Sequence, residues 1–362
     1  MSNVQTRLIL GFAEAISEFF EVAVATVDIS PEVIELFKRS QIRTIFPSYG
    51  NYVINSFLKK FNSSNEATVW AEAWLREAFI EENSRTINSL VDRERFDFVI
   101  NATNTVCVES DIWWVQGVSP ETVLNKMNFS HGWQKQIARM IGLSLRTPNS
   151  AILRTFVKKS KLLIANSNYI KKYYMDMGIK VEDVVYTFPD MSGFKPLEST
   201  PADKYVLGYI GKETEIDVLS ELGSNEMKVI AFGNKVVPGV YSARRNSHIQ
   251  FMGKVSIEEL VGLYSNALFT VFPFTNEPLG YIPVESMACG TPVLTYNKQG
   301  PSETVLNRET GWLVDDSDEF VKTGSSLWGK GFDRKSFRRN CITRASCFSP
   351  LNQAMKIRNM LT

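Results

Sequence analysis

Apolar and polar positions along this chain follow two periods, and the switches between them mark out its elements. From Leu8 to Phe20 the residues Leu8, Phe12, Ile16 and Phe19 fall at helical spacing, and Glu21 to Val27 then reads as a short buried strand. Val33 to Phe61 mixes helical segments with brief apolar runs such as Thr44 to Phe46. Glu66 to Leu90 sets Val69, Trp70, Ala73, Leu75, Ala78 and Phe79 among Glu and Arg, as an amphipathic helix does. Strands are predicted at Phe96 to Ile100, Ile112 to Val115, Leu162 to Ser167, around Val184 to Phe188, Tyr205 to Ile210, Met227 to Phe232, Ile249 to Met252, Leu268 to Phe274, Pro292 to Tyr296 and Gly311 to Val314. Helical stretches such as Leu260 to Tyr264 alternate with them, which is the pattern of an α/β protein.

Pro189 to Asp203 carries three prolines with Gly, Ser and Thr, the composition of a linker. At roughly 150 residues per domain, 362 residues fit two. The boundaries expected are a first domain over 1–190, a linker over 191–203, a second domain over 204–330, and C-terminal helices over 331–362, the last crossing back to the first domain.

The most informative stretch runs from Val271 to Thr295. A buried strand ends near Pro273 and gives way at Thr275-Asn276 to a loop carrying Glu277. Gly280 and Tyr281 precede Pro283 and a short helix, Val284 to Cys289, which Gly290 closes and Pro292 prevents from continuing. A helix start presents unpaired N–H groups and a partial positive charge, and so accepts a diphosphate. Glu285 lies about one turn into that helix and Glu277 eight residues earlier, at the carboxyl end of the strand, where open parallel sheets bind ligands. A Glu in a first helical turn by itself complements the helix dipole. Two carboxylates flanking an anion seat suit a ligand with hydroxyls on both sides of a diphosphate, which describes a nucleotide-sugar.

Composition narrows the alternatives. Hydrophobic content of 44% and charged content of 22% are those of an ordinary globular protein. Cys107, Cys289, Cys341 and Cys347 lack a metal-binding spacing and read as reduced thiols, and with only His131 and His248 a His-rich metal site is not expected. No apolar run reaches 18 residues and the N-terminus lacks a signal-peptide pattern, so a cytoplasmic protein is expected. Net charge is +1, yet Glu121 to Lys172 holds ten Lys or Arg against one acid. Within it Trp133, Ile137, Met140 and Ile141 fall at helical spacing, with Lys135 and Arg139 elsewhere. Two readings stand: a helix packed on a core with solvated lysines, or an interfacial helix with a basic rim that touches the inner membrane face. No nucleic-acid-binding motif accompanies the charge, so nucleic acid is not an expected partner.

The string Glu277-Pro278-Leu279-Gly280, a second acid at Glu285, then Ala288-Cys289-Gly290-Thr291-Pro292-Val293, resembles the donor-site signature of retaining GT-B glycosyltransferases of the sucrose-synthase and mannosyltransferase type (family 4, group 1). Asn166-Ser167 after a strand and Gly311 to Val314 match the same family. The resemblance implies a GT-B fold, two Rossmann-like domains facing a cleft, with the donor held by the second and a glycan or lipid-linked acceptor by the first. It implies that Glu285 holds the ribose hydroxyls, that Gly280, Tyr281 and Ile282 meet the diphosphate through backbone N–H groups beside Leu279, and that Glu277 binds the transferred sugar. Gly211 closes the first strand of the second domain, Lys212 would neutralise the leaving diphosphate, and the base would lie against the turn at Lys254 and Val255. The family retains anomeric configuration without a divalent metal, so no cofactor is expected.

The chain departs from the family in four places. It begins at the helix, without the strand and Gly-rich turn that come first in the family, so it either starts at an internal Met or is a variant that no longer catalyses. Gln116 stands where the family often has a His, and a Gln cannot act as a base near neutral pH. Lys212 replaces an Arg and lacks its bidentate fork. A second Lys expected five residues on is missing, and the loop Glu213-Thr214-Glu215 is acidic instead. A glycosyltransferase is the main reading; a non-catalytic nucleotide-sugar or glycan binder on the same fold is the alternative, and a nucleotide-sugar epimerase would want more acids and histidines than this chain supplies.

Overall fold

The computed structural model describes residues 4–27, 29–47, 78, 80–91, 96–118, 136, 140, 146–187, 191–197, 204–211, 214–233, 246–275 and 277–362. The chain divides into two compact units, one of residues 1–125, 136–190 and 350–362, the other of 126–135 and 191–349. Most of the predicted helix over Glu66 to Leu90 lies outside the described residues, and 80–90 is helical. The proposed basic amphipathic helix around Trp133, Lys135, Ile137, Arg139 and Ile141 also lies outside them, apart from Met140, which is exposed.

In the first unit, helix α1 (Val4–Ser17) leads to strand β1 (Ala23–Ala25), helix α2 (Pro31–Arg39) and strand β2 (Arg43–Ile45), and the two strands pair in parallel. Pro31 opens α2, where its missing N–H is no loss. A second parallel sheet runs β3 (Ile100–Asn101), β4 (Ser110–Val115), β5 (Ser160–Ala165) and β6 (Asp183–Val184), in that order. Among the described residues no strand joins β1 to β3. Adjacent side chains of a strand face opposite ways. Trp113 accordingly packs with Phe156 of helix α3 (Arg146–Lys158) and Tyr174 of helix α4 (Asn168–Met175), while Trp114 meets Phe12 of α1 on the other face. Ser167 caps α4 by accepting from Ile170 N at 3.1 Å. The strand predicted over Phe96 to Ile100 shrinks to β3. Val99 N donates instead to the Asp111 carboxylate (2.8 Å) and Val99 O accepts from Asp111 N, so a side chain takes the ladder's place and Phe98 is left exposed.

The second unit is one six-stranded parallel sheet: β7 (Val206–Ile210), β8 (Val229–Gly233), β9 (Ile249–Gly253), β10 (Thr270–Phe272), β11 (Val293–Tyr296) and β12 (Gly311–Val314), in the order β12-β11-β10-β7-β8-β9. Helices α5 (Ile216–Ser224), α6 (Ile257–Asn266), α7 (Tyr281–Ala288), α8 (Pro301–Thr304), α9 (Ser317–Lys330) and α10 (Arg334–Ser346) connect or cover the strands. Val206, Leu219, Leu222, Val229, Val271, Leu294 and Phe320 form its core. Near-continuous apolar strands are what a sheet covered on both faces requires. Of the two last helices, α10 packs on α7 in this unit, whereas α11 (Pro350–Leu361) belongs to the first, its Ala354 and Ile357 joining Ile16 and Trp114. The doubly wound order reverses between β7 and β10, so loops diverge at their carboxyl ends and leave a crevice.

Candidate active site

Helix α7 begins at Tyr281, three residues earlier than its periodicity predicts, because Pro283 sits within the first turn, where the helix asks for no N–H. Gly280 precedes it with φ +91°, a conformation that side-chain-bearing residues avoid. The N–H groups at this helix start do not all point into open space. Glu277 Oε1 accepts from Gly280 N at 3.0 Å and from Leu279 N at 3.3 Å, so a carboxylate already occupies part of the expected anion seat.

Glu277 is half-buried and its main chain is gripped from the loop after β11. Its N–H donates to Gln299 Oε1 at 2.8 Å, and its carbonyl accepts from Gly300 N at 3.1 Å. Glu285, on α7, is only 3% exposed, and its carboxylate accepts from Tyr264 Oη of α6 at 3.2 Å. Burial, reinforced by that negative charge, raises the Tyr264 phenol well above its usual value. Cys289 lies one turn further along α7, and burial first, then the Glu285 charge, push its thiol up to about 12.

Gly211 and Thr214, after β7, lie beside the end of β10. Gly211 N donates to Thr214 Oγ1 at 2.8 Å, Thr214 bridges to Phe274, and a Cβ on Gly211 would stand 2.8 Å from the Tyr209 ring. Glu215, read from sequence as a repulsive acid, accepts from Tyr296 Oη at the end of β11, and Lys298 Nζ lies 4.0 Å above the Tyr296 ring. Burial is the main cause that raises the Tyr296 phenol, with the Glu215 bond second.

Glu277, Leu279, Gly280, Tyr281, Ile282 and Glu285 thus share one loop and helix start, with Gly211 beside them through Phe274. Lys254 is exposed and Val255 half-buried at the end of β9, three strands from β10, or about 14 Å at the usual strand spacing. Lys212 lies outside the described residues. Gln116 belongs to the first unit, where its Oε1 accepts from Thr187 Oγ1 at 3.0 Å and its carbonyl from Asn166 Nδ2 at 2.9 Å. Gln299, Gly300 and Tyr264 were not singled out by sequence; the Gln-Gly-Pro turn over 299–301 was the only trace of the first two. Among the described residues no three His, Cys, Asp or Glu side chains gather as metal ligands, and no helix is long and apolar enough to cross a membrane.

Residues 239–342 match the family described as "Glycosyl transferases group 1". That stretch contains the Glu277 loop, helix α7 and the Gln299 turn, and is similar to that family; the chain has the GT-B fold of Rossmann-like units. Its relatives are more particular. The alpha-1,3/1,6-mannosyltransferase alg-2 of Neurospora crassa is 46% identical over 56 residues, 16% of this chain and 12% of that one. The capsular polysaccharide biosynthesis glycosyltransferase CapM of Staphylococcus aureus is 23% identical over 232 residues, 57% of each chain. The chain therefore spans 12% and 57% of the length of these two relatives. Sucrose-phosphate synthase from Thermosynechococcus elongatus has a similar structure, with a TM-score of 0.60 at 17% identity, covering 96% of this chain and 90% of that one. HepE of Anabaena, solved with UDP, has a TM-score of 0.58 at 16% identity, covering 98% of this chain and 95% of that one; it has also been solved with UDP-glucose.

Proposed function

We propose that this protein is a retaining glycosyltransferase that moves a sugar from a nucleotide-sugar to a glycan or lipid-linked acceptor without a divalent metal. One observation carries the reading: Glu277 stands at the sheet's switch point with one carboxylate oxygen fixed on the Leu279 and Gly280 amides. An oxygen held in this way orients the other to accept from a sugar hydroxyl, at no cost in side-chain freedom on binding. The diphosphate then falls to the first-turn amides of Tyr281 and Ile282 and to the positive end of α7. Lys212 would place its ammonium on the leaving diphosphate, where preorganised charge lowers the barrier most. Glu285 would reach the ribose, Lys254 and Val255 the base, and Gln116 the reacting sugar; the burial of Glu285 makes its role the most demanding of these. The acceptor hydroxyl would attack from the face the diphosphate leaves.

UDP-glucose, which HepE has been solved with, is the first donor to try. Glu277→Ala is expected to bind UDP within about twofold of the unmutated chain while its turnover of UDP-glucose falls about 100-fold, as loss of one preorganised polar group does. Equal turnover by the two proteins would overturn the role of Glu277. UDP-glucose that raises the melting temperature but is never consumed would favour the non-catalytic binder.

A further inference from the structure

Gln299 is one of four residues other than glycine that the described structure holds at positive φ, here +62°. A left-handed main chain is unfavourable for a side-chain-bearing residue, and persists only where the surroundings over-determine it. At Gln299 three contacts do so. Its side-chain Oε1 accepts from Glu277 N at 2.8 Å, its carbonyl accepts from Ser302 Oγ at 2.7 Å, and the next residue's N–H donates to the Glu277 carbonyl at 3.1 Å. Gly300 then lies so close under the Glu277 loop that a Cβ would stand 2.2 Å from Leu279 Cα. Both main-chain polar groups of Glu277 are therefore bonded to Gln299-Gly300, and its carboxylate to the amides of Leu279 and Gly280. A glycine at 299 would take the same backbone conformation without strain. What glutamine adds is the acceptor on Glu277 N–H.

We propose that Gln299 is a positioning residue for Glu277: its side-chain amide fixes the main chain from which the Glu277 carboxylate reaches the transferred sugar. This rests on the glycosyltransferase reading for its consequence in turnover, though not for the bond itself. A backbone N–H can only donate, so the side-chain amide meets Glu277 through its oxygen.

The test compares the full chain with Gln299→Gly and Gln299→Glu. Glycine keeps the turn and removes the acceptor; glutamate keeps an acceptor of the same reach. Hydrogen exchange of the Glu277 amide is measured by mass spectrometry, UDP affinity by calorimetry, and UDP-glucose turnover as kcat and KM separately. In Gln299→Gly the Glu277 amide is expected to exchange at least about tenfold faster, kcat to fall about tenfold, and UDP affinity and melting temperature to stay near those of the parent. Gln299→Glu should keep the slow exchange. An unchanged exchange rate in Gln299→Gly overturns the bond; faster exchange with unchanged kcat overturns the positioning role. If the parent neither binds UDP nor turns over UDP-glucose, the glycosyltransferase reading fails with this donor, and with it the consequence for catalysis, while the exchange arm still decides whether Gln299 holds Glu277.

Discussion

Glu285 shows what one buried carboxylate does to its neighbours. Facing Tyr264 and the Cys289 turn of α7, it adds to the burial that already disfavours a phenolate and a thiolate. A thiol raised from 9.0 to about 12 keeps in the folded state a proton that the unfolded chain releases above about pH 9. Its contribution is whole below pH 9 and is lost as pH climbs towards 12. While the pH lies between those values, stability should fall by about 1.4 kcal/mol per pH unit for this group. Denaturant unfolding at pH 8, 9, 10 and 11 should show Cys289→Ser declining less steeply than the parent by about that amount. Equal slopes would mean that the thiol is not shifted. At this scale sequence reading singled out Glu277 and Glu285 as candidates but could not see Tyr264, which approaches Glu285 from another helix.

Elements here are held together where loops touch, and glycines show how closely. Gly300 has φ −59°, so its backbone suits any residue, and only space forbids a side chain. A Cβ there would meet Leu279 N and Pro278 O at 2.4 Å, both backbone atoms that cannot rotate aside. Gly300→Ala should cost about 2–4 kcal/mol by overpacking and weaken nucleotide binding, since the Pro278-Leu279 backbone it displaces leads straight into the start of α7, whose amides are the proposed diphosphate seat. Gly329, inside α9 with nothing within 4 Å, is the control. Gly329→Ala should be neutral or stabilising by up to about 1 kcal/mol through helix propensity. Thermal unfolding of the two variants side by side decides the point. The arginines of α10 work at the same scale. Arg334 donates to the Ser265 and Ala267 carbonyls at the end of α6, and Arg344 to the Glu303 and Thr304 carbonyls at the end of α8. They supply hydrogen bonds that helix ends lack. Two of the five basic side chains of α10, Arg334 and Arg344, thus act as caps for other helices.

For the whole molecule, a ligand that binds only the native state raises the melting temperature in proportion to the logarithm of its concentration over its Kd. UDP and GDP, free and carrying glucose or mannose, should separate by base and sugar in such a screen. At 100 times its Kd a true donor stabilises by about 2.7 kcal/mol. A panel in which no nucleotide moves the transition would sink the reading of the crevice as a nucleotide site. The α/β class, the parallel strands and the site loop between β10 and β11 were all legible in the chain, because apolar runs punctuated by Gly and Pro are local signals. Phe96 to Ile100 misled for a related reason: its pattern suits a strand, yet Asp111 supplies the polar partner that a neighbouring strand would have offered.

Periodicity along 362 residues set out the alternation of helices and strands, and the string from Glu277 to Val293 carried the resemblance to a family and the candidate roles of Glu277 and Glu285. Tertiary structure alone decided that the Glu277 carboxylate rests on the amides beside it, that Glu285 is sealed under Tyr264, and that Gln299 reaches Glu277 across 22 positions of chain. Contacts of that kind depend on which parallel strands lie side by side, and strand order is set by how the whole sheet buries its faces, a quantity that no local pattern records.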